Sequence, residues 1–337
     1  MTAWDLPEDD IEAAVAASRG DLERWRGARI LFTGATGALG SWMLTSLERA
    51  NEHLGMKMSM VVATRSSGNL PASLREAPGI STLEGDVRSL STAETFDLII
   101  HGAAGASTPF GVGDAEPREM ASTIVDGTRA VLECAAANMA RVLFLSSGGV
   151  YGPQFAPAEE TTHSRLDCLD PRAAYGEAKR LAELYCAAAS SAGEVDAVIA
   201  RIFALTGPRI PLDSYFAAGN FMGDLIAGRP INVSGDGRPF RSYLYCGDLP
   251  EWCFALMSRG SRGEAYNVGS DEAVTIAQLA HMIAALDGRA PKVVIHAPES
   301  AGPSPWYVPR IDKARGIGLE PRTSLQRSLE KWFAWLS

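Results

Sequence analysis

Positive charge is in short supply in this sequence: 31 Lys and Arg stand against 40 Asp and Glu, a formal net charge of -9 over 337 residues. A nucleic-acid surface needs clustered Lys and Arg, so no nucleic acid is expected among the partners. Long apolar runs are absent as well. Nothing approaches the ~18 apolar residues that suggest a bilayer span, and the opening "MTAWDLPEDDIEAAV" is acidic where a secretory leader is basic and then apolar. No membrane association is expected. Cysteine is sparse: Cys134, Cys168, Cys186, Cys246 and Cys253 are scattered, odd in number and free of CxxC spacing. The reading is therefore of reduced thiols in a cytoplasmic protein, with no disulfide framework and no metal site. Internal repeats and low-complexity tracts are also missing.

What is present is an ordinary globular composition, 46% hydrophobic and 21% charged, arranged in a repeating pattern. Residues 8–26 show helical spacing at Ile11, Val15 and Leu22, with a break expected at Gly20 and a cap at Asp21. From residue 29 the chain alternates. The runs "RILFTG", "MSMVVATR", "FDLIIHGAA", "RVLFLSS" and "VDAVIARIF" predict strands, and the stretches between several of them predict helices, notably 116–139 and "AYGEAKRLAELYCAAAS". Strand–helix alternation predicts right-handed crossovers and a parallel sheet covered on both faces. The expected organisation is α/β: a helical extension over 1–27, a doubly wound parallel sheet of the Rossmann type over 28–203, and mainly a lobe over 204–337. That last part, rich in Gly and Pro with short helices and strands, predicts a smaller mixed α/β substrate-binding lobe at the carboxyl edge of the sheet, where ligands of open α/β sheets bind.

Two stretches carry chemistry. In "TGATGALG", Gly34, Gly37 and Gly40 stand between a strand and a helix, with Thr36, Ala38 and Leu39 among them. Missing side chains there let backbone N–H groups meet a pyrophosphate, which predicts a dinucleotide site. The second strand ends in Arg65 where an acidic residue would hold a ribose diol. A guanidinium suits a 2′-phosphate, so the cofactor reads as NAD or NADP with a lean toward NADP. Asp86, followed by Val87, is a candidate contact at the adenine end. In "YGEAK", Tyr175 and Lys179 lie four residues apart on one helix face, and Ser147 ends the preceding strand. An ammonium and an oxidised nicotinamide would both favour the phenolate of Tyr175, which then exchanges a proton with a sugar hydroxyl held by Ser147.

Together "TGATGALG", "HGAA", "SSGGVYG", "YGEAK", "ARIFALTGP", "GDGRPFRSYLY" and "YNVGS" resemble the extended short-chain dehydrogenase/reductases, in particular the NAD-dependent epimerase/dehydratase family that acts on nucleotide sugars. The resemblance runs from about residue 28 to 320. It implies Ser147 as the catalytic hydroxyl with Ser146 as its neighbour, and cofactor contacts from His101, Ala103 and Ala104 as well as from Tyr175 and Lys179. It also implies a nucleotide-diphosphate sugar as substrate, with Ser107 and Thr108 facing the sugar and Asn220 and Arg241 meeting the phosphates. Members of the family that dehydrate place Asp and Glu after the catalytic Ser or Thr, and decarboxylases keep the Glu. Here Gly148 and Gly149 stand in those places. The resemblance thus implies a nucleotide-sugar epimerase, most simply at C4, with an NADPH-dependent 4-keto-sugar reductase as the alternative. A dehydratase or a non-catalytic sensor is less favoured.

Ile124 replaces an asparagine that the resemblance leads one to expect. His163 is a further acid or base candidate, and Arg310 a further candidate for a family arginine. Trp252 and Trp306 read as packing residues. The helices near 116–139 and 174–190 are alanine-rich and apolar on more than one face, and the resemblance implies a homodimer through them.

Overall fold

The computed structural model describes residues 4–104, 116–213, 216–289, 291–298 and 301–337. Its centre is a parallel sheet of seven strands: β1 (Arg29–Thr33), β2 (Ser59–Thr64), β3 (Ile80–Glu84), β4 (Leu98–His101), β5 (Arg141–Ser147), β6 (Asp196–Ile202) and β7 (Ala265–Val268). Their spatial order is β7-β6-β5-β4-β1-β2-β3. The aliphatic runs of β1, β4, β5 and β6 are buried on both faces, as a sheet layered between helices requires. The helices are α2 (Ala38–Leu54), α3 (Pro117–Asn138) and α4 (Ala174–Ser191), after an opening α1 (Glu8–Leu22). The strand order reverses between β1 and β4. That switch point opens a crevice beyond their carboxyl ends.

Two features depart from the sequence expectations. The opening helix does not break at Gly20 but runs to Leu22, and Asp21 caps nothing; its carboxylate accepts from the Arg259 guanidinium at 3.1 Å. Burial of Ile11, Val15 and Leu22 against the rest of the core offsets the roughly 1 kcal/mol that a mid-helix glycine costs. Asp10 on the same helix receives the Tyr245 hydroxyl and the Lys331 ammonium, both at 2.5 Å, so the first helix is bound to the last. In addition, β7 comes from residues beyond 203 yet pairs with β6 through Ala265↔Ile199 to Val268↔Ile202. The chain leaves the sheet, builds the lobe and returns to close the sheet's edge.

The lobe contains α5 (Ala217–Ile226) and short strand pairs, whereas α6 (Leu249–Arg259) packs on the central sheet beside α1 and α2. One of its small sheets has Phe240–Arg241 at its centre, between Val274–Thr275 and Trp306–Tyr307. Trp252 is fully buried, and Trp306 stacks on Phe240 with ring centroids 4.2 Å apart, so both tryptophans pack.

Candidate active site

The glycine turn follows β1. Gly34 has φ 78°, and a Cβ on it would lie 2.5 Å from the backbone of Gly102 at the end of β4. A Cβ on Gly40 would lie 2.3 Å from the Gly34 carbonyl, so only glycine allows α2 to begin this close to the strand. Gly37 caps α2 with no side-chain hydrogen bond to the first-turn amides. Those N–H groups and the positive end of a 17-residue helix suit an anion such as a pyrophosphate. Gly34, Gly37, Ala38, Leu39 and Gly40 all line one cavity of about 540 Å³, as do Gly102 and Ala104. The Thr36 carbonyl accepts from Arg209, and the Ala103 amide lies 3.3 Å from the Thr33 hydroxyl. A bound dinucleotide fits this cradle.

The remaining residues expected at the cofactor are placed more variously. Arg65 is exposed just past the end of β2. The Asp86 carboxylate is engaged by Arg88, whose guanidinium holds it below the usual carboxylate range. Val87 packs toward Gly127, where a Cβ would come within 2.8 Å. His101 turns inward: its Nδ1 is 2.7 Å from the Thr33 hydroxyl and its Nε2 3.1 Å from that of Thr128. Full burial pushes this imidazole down to about 3, so it is a neutral brace between β4, β1 and α3, with its ring outside the cavity lining.

Ser147, Tyr175 and Lys179 converge on the same cavity. β5 ends at Ser147, whose Oγ accepts from the Gly149 amide at 3.0 Å. Tyr175 and Lys179 project from the first turns of α4. The Lys179 ammonium is buried, donates to the Leu145 carbonyl at 2.7 Å and lies 4.7 Å from the Phe144 ring centroid. Burial lowers it to about 8, although the Glu183 carboxylate opposes that. The ammonium stands 6.0 Å from the Tyr175 ring centroid, and burial lifts the phenol to about 12, opposed only by hydrogen bonding with Ser147. Tyr175 is neutral until further positive charge arrives.

Behind the triad lies a network that the sequence reading did not assign. Glu183, one turn beyond Lys179, accepts from the Ser146 hydroxyl at 2.5 Å and from the Arg201 guanidinium at 2.7 Å. Arg201 also donates to the Tyr151 hydroxyl at 2.8 Å, which in turn donates to Asn267. Strands β5, β6 and β7 and helix α4 are thereby locked in register behind Ser147. The spacing of Glu183 four residues after Lys179 is the signal that could have found it.

The wall facing the triad is aromatic. A Cβ on Gly148 would come within 2.8 Å of the Phe203 ring, and one on Gly149 within 3.3 Å of the Ser147 hydroxyl. Phe203 packs against Tyr151 and Tyr307, with ring centroids at 5.9 and 4.9 Å. Tyr307, Tyr243 and Arg241 line the cavity. Burial disfavours the charge on Arg241, whose guanidinium donates to the Phe240 carbonyl at 2.8 Å and has no ion pair with a carboxylate among the described residues. Such a cation suits an anionic ligand.

Other candidates fall elsewhere. Asn220 is half-buried on α5, three residues past the cavity-lining Ala217. His163 lines a second cavity of about 400 Å³ with Arg201 and Glu183, and Arg310 is exposed and bonded to Asp312 at 3.0 Å. Neither reaches the triad's cavity. Ile124 is fully buried in the core, and its carbonyl accepts from Thr128. Ser107 and Thr108 lie outside the described residues.

The family model for the NAD dependent epimerase/dehydratase family matches residues 30–269. Similar curated proteins include UDP-glucuronic acid decarboxylase 1 of Arabidopsis thaliana, 31% identical over 310 residues that cover 90% of this chain and 68% of that protein. UDP-glucuronic acid decarboxylase 6 of the same plant is 31% identical over 308 residues, 89% of this chain and 86% of that protein. Among solved structures, UDP-glucose 4-epimerase from Thermotoga maritima with UDP-glucose superposes with a TM-score of 0.77 at 23% identity, covering 91% of this chain and 98% of that one.

Proposed function

The chain belongs to the NAD dependent epimerase/dehydratase family, and from that premise we propose that it is a nucleotide-sugar epimerase acting most simply at C4. The observation that carries this reading is the composition of the cavity. Its described lining offers hydroxyls from Ser147, Tyr175, Tyr243 and Tyr307 and the Lys179 amine, but no carboxylate and no imidazole. Elimination of water or loss of a carboxyl group calls for an added acid or base, and Gly148 and Gly149 hold the places where the resemblance leads one to look for it. Transfer of one proton needs only what is present.

When bound, the nicotinamide would take a hydride from a sugar carbon and return it. The chain's own groups do the rest. Tyr175 takes the proton from the sugar hydroxyl and gives it back, Ser147 holds the same oxygen, and the Lys179 ammonium, with the cofactor's positive charge, lowers the cost of a Tyr175 phenolate. Arg241 meets the substrate diphosphate. The exposed Leu181 and Leu184 on α4 support a homodimer through α3 and α4.

Arg65 favours a second reading, a 4-keto-sugar reductase that consumes NADPH. The test is to incubate the purified protein with NAD+ and either UDP-glucose or UDP-glucuronic acid and to follow the sugar by NMR. A C4 epimer formed with no net change in cofactor absorbance is the expected result. Release of carbon dioxide, or stoichiometric loss of NADPH on adding a 4-keto sugar, would refute it.

A further inference from the structure

Residues 4–22 precede the stretch 30–269 that the family model matches, and they are tied to the parts that build the dinucleotide cradle. Helix α1 grips α2: Arg49 on α2 donates to Glu8 at 2.7 Å and to Glu12 at 2.5 Å. A second tie runs inward. The Asp10 carboxylate takes the Tyr245 hydroxyl, the Tyr245 ring meets Trp42 of α2 edge-on with centroids 6.0 Å apart, and the Trp42 indole donates to the Pro208 carbonyl at 3.2 Å. That bond anchors the chain just ahead of Ile210 and Pro211, which line the cavity.

Arg209, between them, reaches the glycine turn. It has φ 72°, the left-handed region that a residue other than glycine seldom adopts. Its guanidinium donates to the Thr36 carbonyl at 3.2 Å and lies 4.2 Å from the centroid of the half-buried Trp4 ring. The Arg209 Nη1 is buried with no hydrogen-bond partner among the described residues, so the carbonyl and the indole face are what hold this cation. The Thr36–Gly37 peptide is held on its other side as well, because the Gly37 amide donates to the Gly34 carbonyl at 3.2 Å. With both groups of that peptide occupied the turn is fixed, and the N–H groups at the start of α2 are left for an anion. Burial disfavours the charge on Arg209, and a pyrophosphate on those N–H groups would favour it. By reciprocity the cation favours the anion.

We propose that Arg209 is a positioning residue that locks the glycine turn for dinucleotide binding, and that Trp4 is the clasp that keeps Arg209 in place. The segment ahead of the sheet thereby sets how tightly the cofactor is held. This rests on the cradle alone and is independent of which sugar reaction follows.

The test is a fluorescence titration of the purified protein with NADH, set beside calorimetry with UDP. Arg209→Met is expected to raise the NADH dissociation constant about tenfold, as loss of a hydrogen bond from a charged donor implies. Trp4→Ala is expected to raise it about threefold, as loss of a cation–π contact implies. Arg209→Lys, which keeps the charge and a donor, is expected to recover most of the loss. In an Arg209→Met background Trp4→Ala is expected to add nothing. UDP affinity is expected to be unchanged throughout. Should Arg209→Met not fold, Trp4→Phe and Trp4→Ala carry the test, with NADH affinity falling in the order Trp, Phe, Ala. Unchanged NADH affinity, an equal effect of Trp4→Ala with and without Arg209, or a parallel loss of UDP affinity overturns the proposal. A protein that behaves as expected here yet converts no nucleotide sugar refutes the epimerase reading and leaves this one standing.

Discussion

Replacing Gly148 by alanine adds one methyl group to the pocket wall, and the structure fixes where it goes. The new Cβ would stand 2.8–2.9 Å from three ring atoms of Phe203, well inside the ~3.5–4.0 Å at which carbon atoms rest. Phe203 is 5% exposed and held between Tyr151 and Tyr307, so its ring has no open space to enter. Overpacking of this kind costs ~1–3 kcal/mol. At about 2.1 cal/mol/K of unfolding entropy per residue, a chain of 337 residues loses roughly 1.5–4 °C of melting temperature for that cost. Phe203→Ala alone removes a buried ring and costs ~3–5 kcal/mol. Combined, the two changes relieve one another, because the methyl enters space the ring has left. The double variant is therefore expected to be more stable than the sum of the singles by ~0.5–3 kcal/mol. Urea and thermal unfolding of the four proteins measure this directly. Additive costs, or a Gly148→Ala protein that melts with the wild type, would refute the packing argument.

Three further outcomes follow from the charges around the site. Lys179 is held near 8 when folded against 10.5 for the free side chain, so the folded state binds fewer protons than the unfolded between these values and stability from this group rises with pH. Relative to Lys179→Met, the wild type should gain about 1.5 kcal/mol between pH 8 and pH 9.5 in urea midpoints; no gain would place the amine in water. Arg65→Asp should change the ratio of NADPH to NADH dissociation constants by about 10- to 100-fold in favour of NADH, as loss of a charge-assisted phosphate contact implies, and an unchanged ratio in fluorescence titrations would remove Arg65 from cofactor selection. Arg241→Gln should weaken binding of UDP by about 10- to 100-fold in calorimetry, whereas unaltered affinity would leave that guanidinium without an anionic ligand.

The parts of the site that are local in sequence were legible there. The turn from Gly34 to Gly40 joins a strand and a helix within eight residues, and Tyr175 and Lys179 sit one helical turn apart, so pattern alone places them. The fold class followed from the same alternation. What pattern could not place depends on contacts across the chain. The strand at Ala265–Val268 is four residues long, and only its pairing with β6 makes it the sheet's edge. His101 stands at the end of β4 beside the cavity, yet its ring is drawn inward by Thr33 and Thr128, which lie far from it in sequence. Tyr307 belongs to a two-residue strand with no periodicity to read, and nothing local announces that it lines the same cavity as Ser147.

The site accordingly has two parts with different freedom to vary. Ser147, Tyr175 and Lys179 sit on β5 and α4, backed by the closed Ser146–Glu183–Arg201–Tyr151 network. A change there disturbs the sheet, because a buried carboxylate or guanidinium left unpaired costs several kcal/mol. The opposite wall is built by Gly148, Phe203 and Tyr307 meeting across the seam between sheet and lobe. A carboxylate at position 148 would require Phe203 to leave, and Phe203 supports Tyr307. An acid in the wall and the packed rings of Phe203 and Tyr307 are then competing solutions. Exchange of one for the other would alter which protons the site can move while the triad and its supporting network stay as they are.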